Sequence, residues 1–124
     1  SDVCSSDLDS IWSAVVSILK LGGYIIVFSC LSAYICLLPI KNIYITGILC
    51  GITEITNGIY LISRFPVPLF YQTILILAVN AFGGFSTVMQ TAGITKRSSF
   101  GIKKYICGKL LLTVLTCLHC IVLL

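Results

Sequence analysis

Long apolar runs, separated by short polar or proline-containing stretches, dominate the chain. We predict four membrane segments, at about residues 21–38, 43–62, 69–89 and from 105 onward. Each approaches the roughly 20 residues that a helix needs to cross a bilayer. Proline cannot continue a helix, so Pro39 closes the first segment and the turn at residues 64–68 closes the second. A basic loop at residues 96–104 precedes the fourth.

A shorter amphipathic stretch precedes the first segment. Over residues 9–20 an apolar stripe faces a row of serines, which is typical of a helix lying in the membrane interface or of a lead-in to the first segment. Trp12 would then lie at headgroup depth. The predicted fold is all-α: a polytopic transmembrane helix bundle of three to four membrane helices plus a short N-terminal interfacial helix.

Composition excludes an ordinary soluble protein. The chain is 58% hydrophobic and 10% charged, with a mean hydropathy of +1.10, whereas soluble domains carry roughly 25% charged residues. Its net charge of +4 comes from residues placed between apolar runs, where lysine and arginine anchor loops beside anionic headgroups. We therefore predict a lipid bilayer as the partner, an integral membrane location, and no nucleic acid.

The basic residues also predict an orientation. The loop between the third and fourth segments carries Lys or Arg at positions 96, 97, 103 and 104. The positive-inside rule places this loop in the cytoplasm. Four successive membrane spans would put Lys41 on the same side of the membrane as this loop, and Lys20 and Arg64 on the opposite side.

Both ends of the chain are unlike a natural start and stop. Residues 1–8 are polar and resemble a translated sequencing-adapter scar, so we treat them as non-native. The other end stops within an apolar run. We therefore expect residues 9–124 to be part of a transmembrane domain, whose further helices are partners of those predicted here.

The second segment contains the only acidic residue after residue 9. A carboxylate near mid-membrane costs on the order of 3 kcal/mol, so Glu54 must be protonated, paired or facing water. Thr53 and Asn57 lie beside it. Two hypotheses remain open: a substrate, proton or ion site, or a polar contact that holds helices together. Gly47 and Gly51, four residues apart, indicate close packing of another helix.

The third segment has a comparable polar face. Gly83 and Gly84 predict a break or a close-packing point, because glycine weakens a helix and admits another backbone. We predict that this face meets Glu54, with Glu54 and Gln90 on facing helices. The predicted substrate or ion site comprises Thr53, Glu54, Asn57, Asn80, Gly83, Gly84, Ser86 and Gln90.

We predict no catalytic residue, metal or cofactor. The chain has no zinc motif of the His-Glu-x-x-His type and no Ser-Lys pair within a segment. His119 and its neighbouring cysteines lie in an apolar run, which favours helix packing over metal binding. An intramembrane enzyme is accordingly the least favoured class.

Four motifs, in order, resemble a known family. Residues 22–28 and the Glu-Ile-Thr-Asn-Gly stretch at 54–58 resemble the nucleoside-recognition, or Gate, domain. Phe-Gly-Gly-Phe-Ser at 82–86, followed by Met89-Gln90, resembles YlbJ-type sporulation integral membrane proteins, as does the Tyr-x-x-x-Lys-Leu-Leu at 105–111. The family usually has histidine after that last Leu-Leu, where this chain has Leu112-Thr113.

This resemblance implies a polytopic protein of a spore-forming bacterium. The family is linked to moving dipicolinic acid, or another small anion, across the outer forespore membrane. The first functional hypothesis is therefore a transporter or gate for a small polar solute. The second is a structural or assembly subunit of a membrane complex, whose polar residues only join helices.

Overall fold

The computed structural model describes residues 2–95 and 101–123, with side chains from residue 6 onward. Within these ranges the chain is helical and contains no strand, which confirms the all-α prediction. The helices are α1 (Asp2–Leu37), α2 (Ile43–Thr53), α3 (Ile55–Ile62), α4 (Leu69–Phe82), α5 (Gly84–Thr95) and α6 (Ile102–Leu123).

Three helical stretches are long and apolar enough to cross a membrane: Ser6–Leu37, Leu69–Thr95 and Ile102–Leu123. The predicted interfacial helix is the first part of α1 and not a separate element. No proline interrupts residues 9–38, so the helix continues through them and ends two residues before Pro39. Its 36 residues extend about 54 Å, so α1 exceeds the roughly 30 Å thickness of the hydrocarbon core.

The second predicted membrane segment is a helical hairpin and not a single membrane-spanning helix. The rings of Tyr44, at the start of α2, and Phe65, after α3, have centroids 4.9 Å apart. Gly51 and Gly58 meet backbone to backbone. In one continuous helix residues 44 and 65 would be about 31 Å apart. The helices therefore run antiparallel, and the prediction of a single span over residues 43–62 is wrong.

The hairpin is also too short to cross the bilayer. The 11 residues of α2 extend about 16 Å, half the thickness of the hydrocarbon core. Non-helical backbone at membrane depth is tolerated where protein covers it, and the turn at Glu54 is buried. The two ends of the hairpin therefore lie at one end of the bundle, and its turn at Glu54 lies inside the bundle.

Local hydrogen bonds define where the two helices of the hairpin begin and end. The side chain of Asn42 caps α2 by accepting hydrogen bonds from the N–H groups of Tyr44 (2.9 Å) and Ile45 (3.4 Å). Glu54 is extended, with φ −146° and ψ 125°, and it separates α2 from α3. The Gly47–Gly51 stripe is closely packed, as predicted. Gly47 meets Phe65 and Ile62, and Gly51 meets Val79 of α4 and Gly58 of α3.

The third segment is interrupted where its glycines predict. Gly83 ends α4 with φ +83°, and Gly84 follows with φ +70°. Side chains other than hydrogen strongly disfavour two successive left-handed residues. α6 packs along α4, and α1 packs against both the hairpin and α5. The Sγ atoms of Cys36 and Cys50 lie 3.6 Å apart where α1 meets the hairpin.

The hairpin changes the predicted topology. Because α2 and α3 leave and return at one surface, Lys41 and Arg64 lie at the same end of the bundle. The long helical stretch formed by α4 and α5 separates them from Lys103 and Lys104 at the start of α6. The placement of Lys41 with the basic loop is therefore wrong. Residues 96–100 lie outside the described ranges, and the cytoplasmic location of the loop stays a prediction.

Cross-linking tests the hairpin. We expect a short bis-maleimide to join Tyr44→Cys to Phe65→Cys, because their rings touch. The native cysteines are replaced by alanine, and the product is identified by mass spectrometry. The control pair, Tyr44→Cys with Thr56→Cys, should stay unlinked, since Thr56 lies at the hairpin tip. A continuous helix would reverse the order of these separations, and linkage of the control pair alone would refute the hairpin.

Candidate functional site

The hairpin tip is built around Glu54, whose side chain is only 4% exposed. Its Oε1 accepts from the N–H of Thr56 at 3.1 Å, and its Oε2 accepts from the N–H of Asn57 at 2.9 Å. A carboxylate at this position satisfies two free N–H groups and meets the positive end of the helix dipole. Glu54 is therefore the N-cap of α3, and both of its carboxyl oxygens are hydrogen-bonded within the hairpin.

The interruption between α4 and α5 has its own hydrogen bonds. The N–H of Gly83 donates to the carbonyl of Val79 at 2.9 Å. Thr87 Oγ1 donates to the carbonyl of Gly83 at 2.6 Å, and Gln90 Nε2 donates to Ser86 Oγ at 3.0 Å. Ser86 is 2% exposed. Gly84 and Ser86 of the first turn of α5 are therefore buried, whereas Phe85 between them is exposed.

The tip and the interruption touch. A β-carbon on Gly84 would lie 3.3 Å from the carbonyl oxygens of Gly51 and Thr53 and 3.4 Å from that of Ile52. α2 ends at Thr53, so these carbonyls have no N–H partner further along their own helix. The negative end of α2 thus faces the positive end of α5, which is favourable between helix dipoles. We refer to this contact as the crossing.

Among the predicted site residues, Thr53 and Gly84 meet directly at the crossing. Glu54 and Gly83 are their neighbours in the chain. Ser86 and Gln90 follow on α5 and are joined to each other. Thr53 is buried, and its hydroxyl donates to the carbonyl of Leu49 at 2.8 Å.

The side chains of two predicted residues lie elsewhere. Asn57 lines a cleft of about 270 Å³ between α3 and α1, with Ser32, Cys36 and Tyr60 among its neighbours. Asn80 is exposed on α4. A left-handed pair at Gly83 and Gly84 breaks the helical progression, so Asn80 does not share a continuous face with residues 84–90.

No hydrogen bond joins Glu54 to Gln90 in the described part of the chain. The oxygens of Glu54 bind the backbone of α3, and the amide of Gln90 binds Ser86. A direct pairing of these two side chains is not what brings the polar segments together. The contact runs through the backbone of Gly84, and a site shared by Glu54 and Gln90 stays a prediction.

Sequence reasoning overlooked Lys109 of α6. Its Nζ donates to the carbonyl of Ala81 at 3.4 Å and lies 5.8 Å from the centroid of the Tyr105 ring. Residues four apart share a helix face, and a lysine within the apolar residues 105–124 is unusual in lipid. The Tyr-x-x-x-Lys spacing was the available signal, but it entered only through the family resemblance.

Comparison with known proteins gives one relative. The chain is 29% identical to the sporulation integral membrane protein YlbJ of Bacillus subtilis (strain 168) over 120 aligned residues. The match covers 83% of this chain but only 29% of YlbJ, so the chain spans less than a third of its relative's length. No protein-family model matches the chain, and no solved structure does.

The similarity to YlbJ and the fold together identify the broad class of this protein. The chain is an integral membrane protein homologous to a sporulation integral membrane protein, and it contains three helices of membrane-spanning length. The likeness supports the YlbJ part of the resemblance given by the motifs. The Gate domain and the solute belong to the proposal that follows.

Proposed function

We propose that the chain forms part of a transporter or gate for a small polar solute or anion, with the crossing as its solute site. The carrying observation is the contact of a hairpin tip with an interrupted membrane helix at Gly84. Interrupted helices present free carbonyls and N–H groups inside a membrane protein, and transporters use these groups to bind ions and solutes.

The two sides of the crossing suit different charges. The carbonyl end of α2 and the carboxylate of Glu54 favour a coupling proton or cation. An ionised Glu54 would repel an anion, so the solute would be held by the N–H groups that begin α5, with Ser86 and Gln90 beside them. Asn80 takes no part, because it is exposed on α4.

The chemical class we favour for the solute is a small dicarboxylate, with dipicolinic acid as the candidate. The family resemblance and the name of the Bacillus relative connect the chain with sporulation, when such a solute has to cross the membranes around the forespore. The proposed location is accordingly the outer forespore membrane. Recognition of a small molecule by a Gate-like domain belongs to the same proposal.

One observation favours a structural or assembly subunit instead. Both carboxylate oxygens of Glu54 already accept hydrogen bonds within the hairpin. An acid retained only for capping would need no solute. In that case the crossing would serve to lock the hairpin against α5, and the proposal of transport would fail.

Uptake of radiolabelled dipicolinic acid decides between these functions. The assay uses membrane vesicles containing the chain together with any flanking sequence its gene encodes. We expect Ser86→Ala combined with Gln90→Leu to lower the initial rate about tenfold, since a lost buried polar contact corresponds to about 1.4 kcal/mol. Met89→Leu, an exposed position on the same helix, is the matched control. Uptake no greater than in empty vesicles would favour the structural subunit.

A further inference from the structure

Lys109 occupies a position that needs explanation. It is the eighth residue of α6, about 10 Å along the helix from its start, and it is half-buried. A lysine at such depth usually extends its side chain to reach the membrane interface. Here the ammonium group instead donates to the carbonyl of Ala81 on α4.

Ala81 lies in the last turn of α4, where helical carbonyls lose their partners. The helix ends at Phe82 because Gly83 turns left-handed. Gly83 donates its N–H to Val79, three residues from the helix end, which leaves the carbonyl of Ala81 to another donor. An unpaired carbonyl is costly in a membrane interior, and a cation is favourable at the negative end of a helix.

Two further contacts adapt the surroundings to the ammonium group. A β-carbon on Gly83 would lie 3.6 Å from Lys109 Nζ, so the ammonium group lies beside the left-handed turn that ends α4. The Tyr105 ring, one turn earlier on α6, lies 5.8 Å from Nζ and is within reach of a cation–π interaction. The described partners of Lys109 are thus a carbonyl oxygen and an aromatic ring.

We propose that Lys109 is the positioning residue of the crossing. Its ammonium group fixes the carbonyl end of α4 to α6, and it thereby sets the direction in which α5 leaves the interruption toward the hairpin tip. α6 packs chiefly along α4 and less on α5, so a change at this clamp moves α5 relative to both helices. The role in solute binding rests on the proposed function, whereas the clamp itself does not.

Hydrogen–deuterium exchange of the full chain in lipid nanodiscs tests the clamp. Lys109→Met removes the charge and the donor at similar length, and Lys109→Arg keeps both. Lys104→Met makes the same change at an exposed lysine of the same helix. We expect the amides of residues 79–87 to exchange about tenfold faster in Lys109→Met, and near the wild-type rate in Lys109→Arg and Lys104→Met.

Peptides from residues 24–36 of α1 report general unfolding and should exchange unchanged. Wild-type exchange at residues 79–87 in Lys109→Met would overturn the clamp, as would equal acceleration in α1 or failure of Lys109→Arg to restore protection. If Lys109→Met cannot be purified, Lys109→Gln, which keeps a donor without charge, replaces it with an intermediate acceleration expected.

Dipicolinic acid uptake by the same variants tests positioning separately. We expect uptake to fall with accelerated exchange in Lys109→Met and to recover in Lys109→Arg. Accelerated exchange with unchanged uptake would overturn the positioning role and leave only the clamp. Absence of uptake in the wild type would instead refute the proposed function, while the exchange experiment would still decide whether the clamp exists.

Discussion

Gly58→Ala should greatly reduce the amount of folded protein. The added β-carbon would be placed against the backbone of Gly51 and Cys50, and backbone atoms cannot move aside as a flexible side chain can. Overpacking typically costs about 1–3 kcal/mol and occasionally more. We expect the high end here, because both sides of the contact are backbone, and we expect a clear drop in the melting temperature in detergent.

Two alanine substitutions on other helices serve as controls. Gly22 and Gly108 have no atoms within 4 Å of an added β-carbon, and alanine favours a helix over glycine by about 1 kcal/mol. Gly22→Ala and Gly108→Ala should therefore melt at or above the wild-type temperature. If Gly58→Ala melts with them, α2 and α3 do not pack as an antiparallel hairpin.

The second large effect is expected at Glu54. Glu54→Ala leaves the N–H groups of Thr56 and Asn57 without their acceptor in a buried turn. Loss of an N-cap costs about 0.5–2 kcal/mol, and each unsatisfied buried donor about 1–3 kcal/mol. We expect Glu54→Ala to lower the melting temperature markedly. Glu54→Asn, a good neutral cap, and Glu54→Gln should lie between alanine and the wild type.

Comparing stability with uptake separates the two roles of Glu54. If it carries a coupling proton or cation, Glu54→Gln should fold and yet lose the pH or cation dependence of dipicolinic acid uptake. The measurement is the initial uptake rate at a series of pH values with and without added cation. Normal uptake by Glu54→Gln at every pH would end the coupling hypothesis. A wild-type melting temperature for Glu54→Ala would show that the carboxylate is not a cap.

The sequence predicted the interruption at Gly83 and Gly84 because the signal there is local. Two adjacent glycines in an apolar run have no packing advantage over alanine unless the backbone needs positive φ or close approach. The helix end before Pro39 is similarly local, since proline lacks an N–H. The all-α class followed from apolar length alone.

The hairpin was not predicted because an apolar run of this length is compatible with either a single membrane-spanning helix or a hairpin. Glutamate is a good helix former, so nothing local marks residue 54 as a turn. One available signal was symmetry: residues 51 and 58, and 44 and 65, lie at equal distances on either side of residues 54 and 55. Glycine pairs placed in that way let two antiparallel helices meet backbone to backbone, as Gly51 and Gly58 do.

The candidate site was predicted by residue type better than by arrangement. Glu54 and Gly84 belong to the crossing, but Asn57 and Asn80 were assigned from faces of uninterrupted helices. An interruption resets the angular position of every following side chain, so helical spacing cannot be carried across it. Lys109 was overlooked because its partner, the carbonyl of Ala81, is a backbone group that no side-chain pattern reveals.

The hairpin also changes the expected parity of the chain. Three membrane spans, an odd number, would put residues 6 and 123 in opposite compartments, whereas four spans would return them to the same one. An enzyme reporter that is active only in the periplasm should therefore give opposite results when fused before α1 and after α6. In a longer protein of this kind, counting the hairpin as one membrane span would therefore reverse the compartment assigned to every helix connection beyond residue 64.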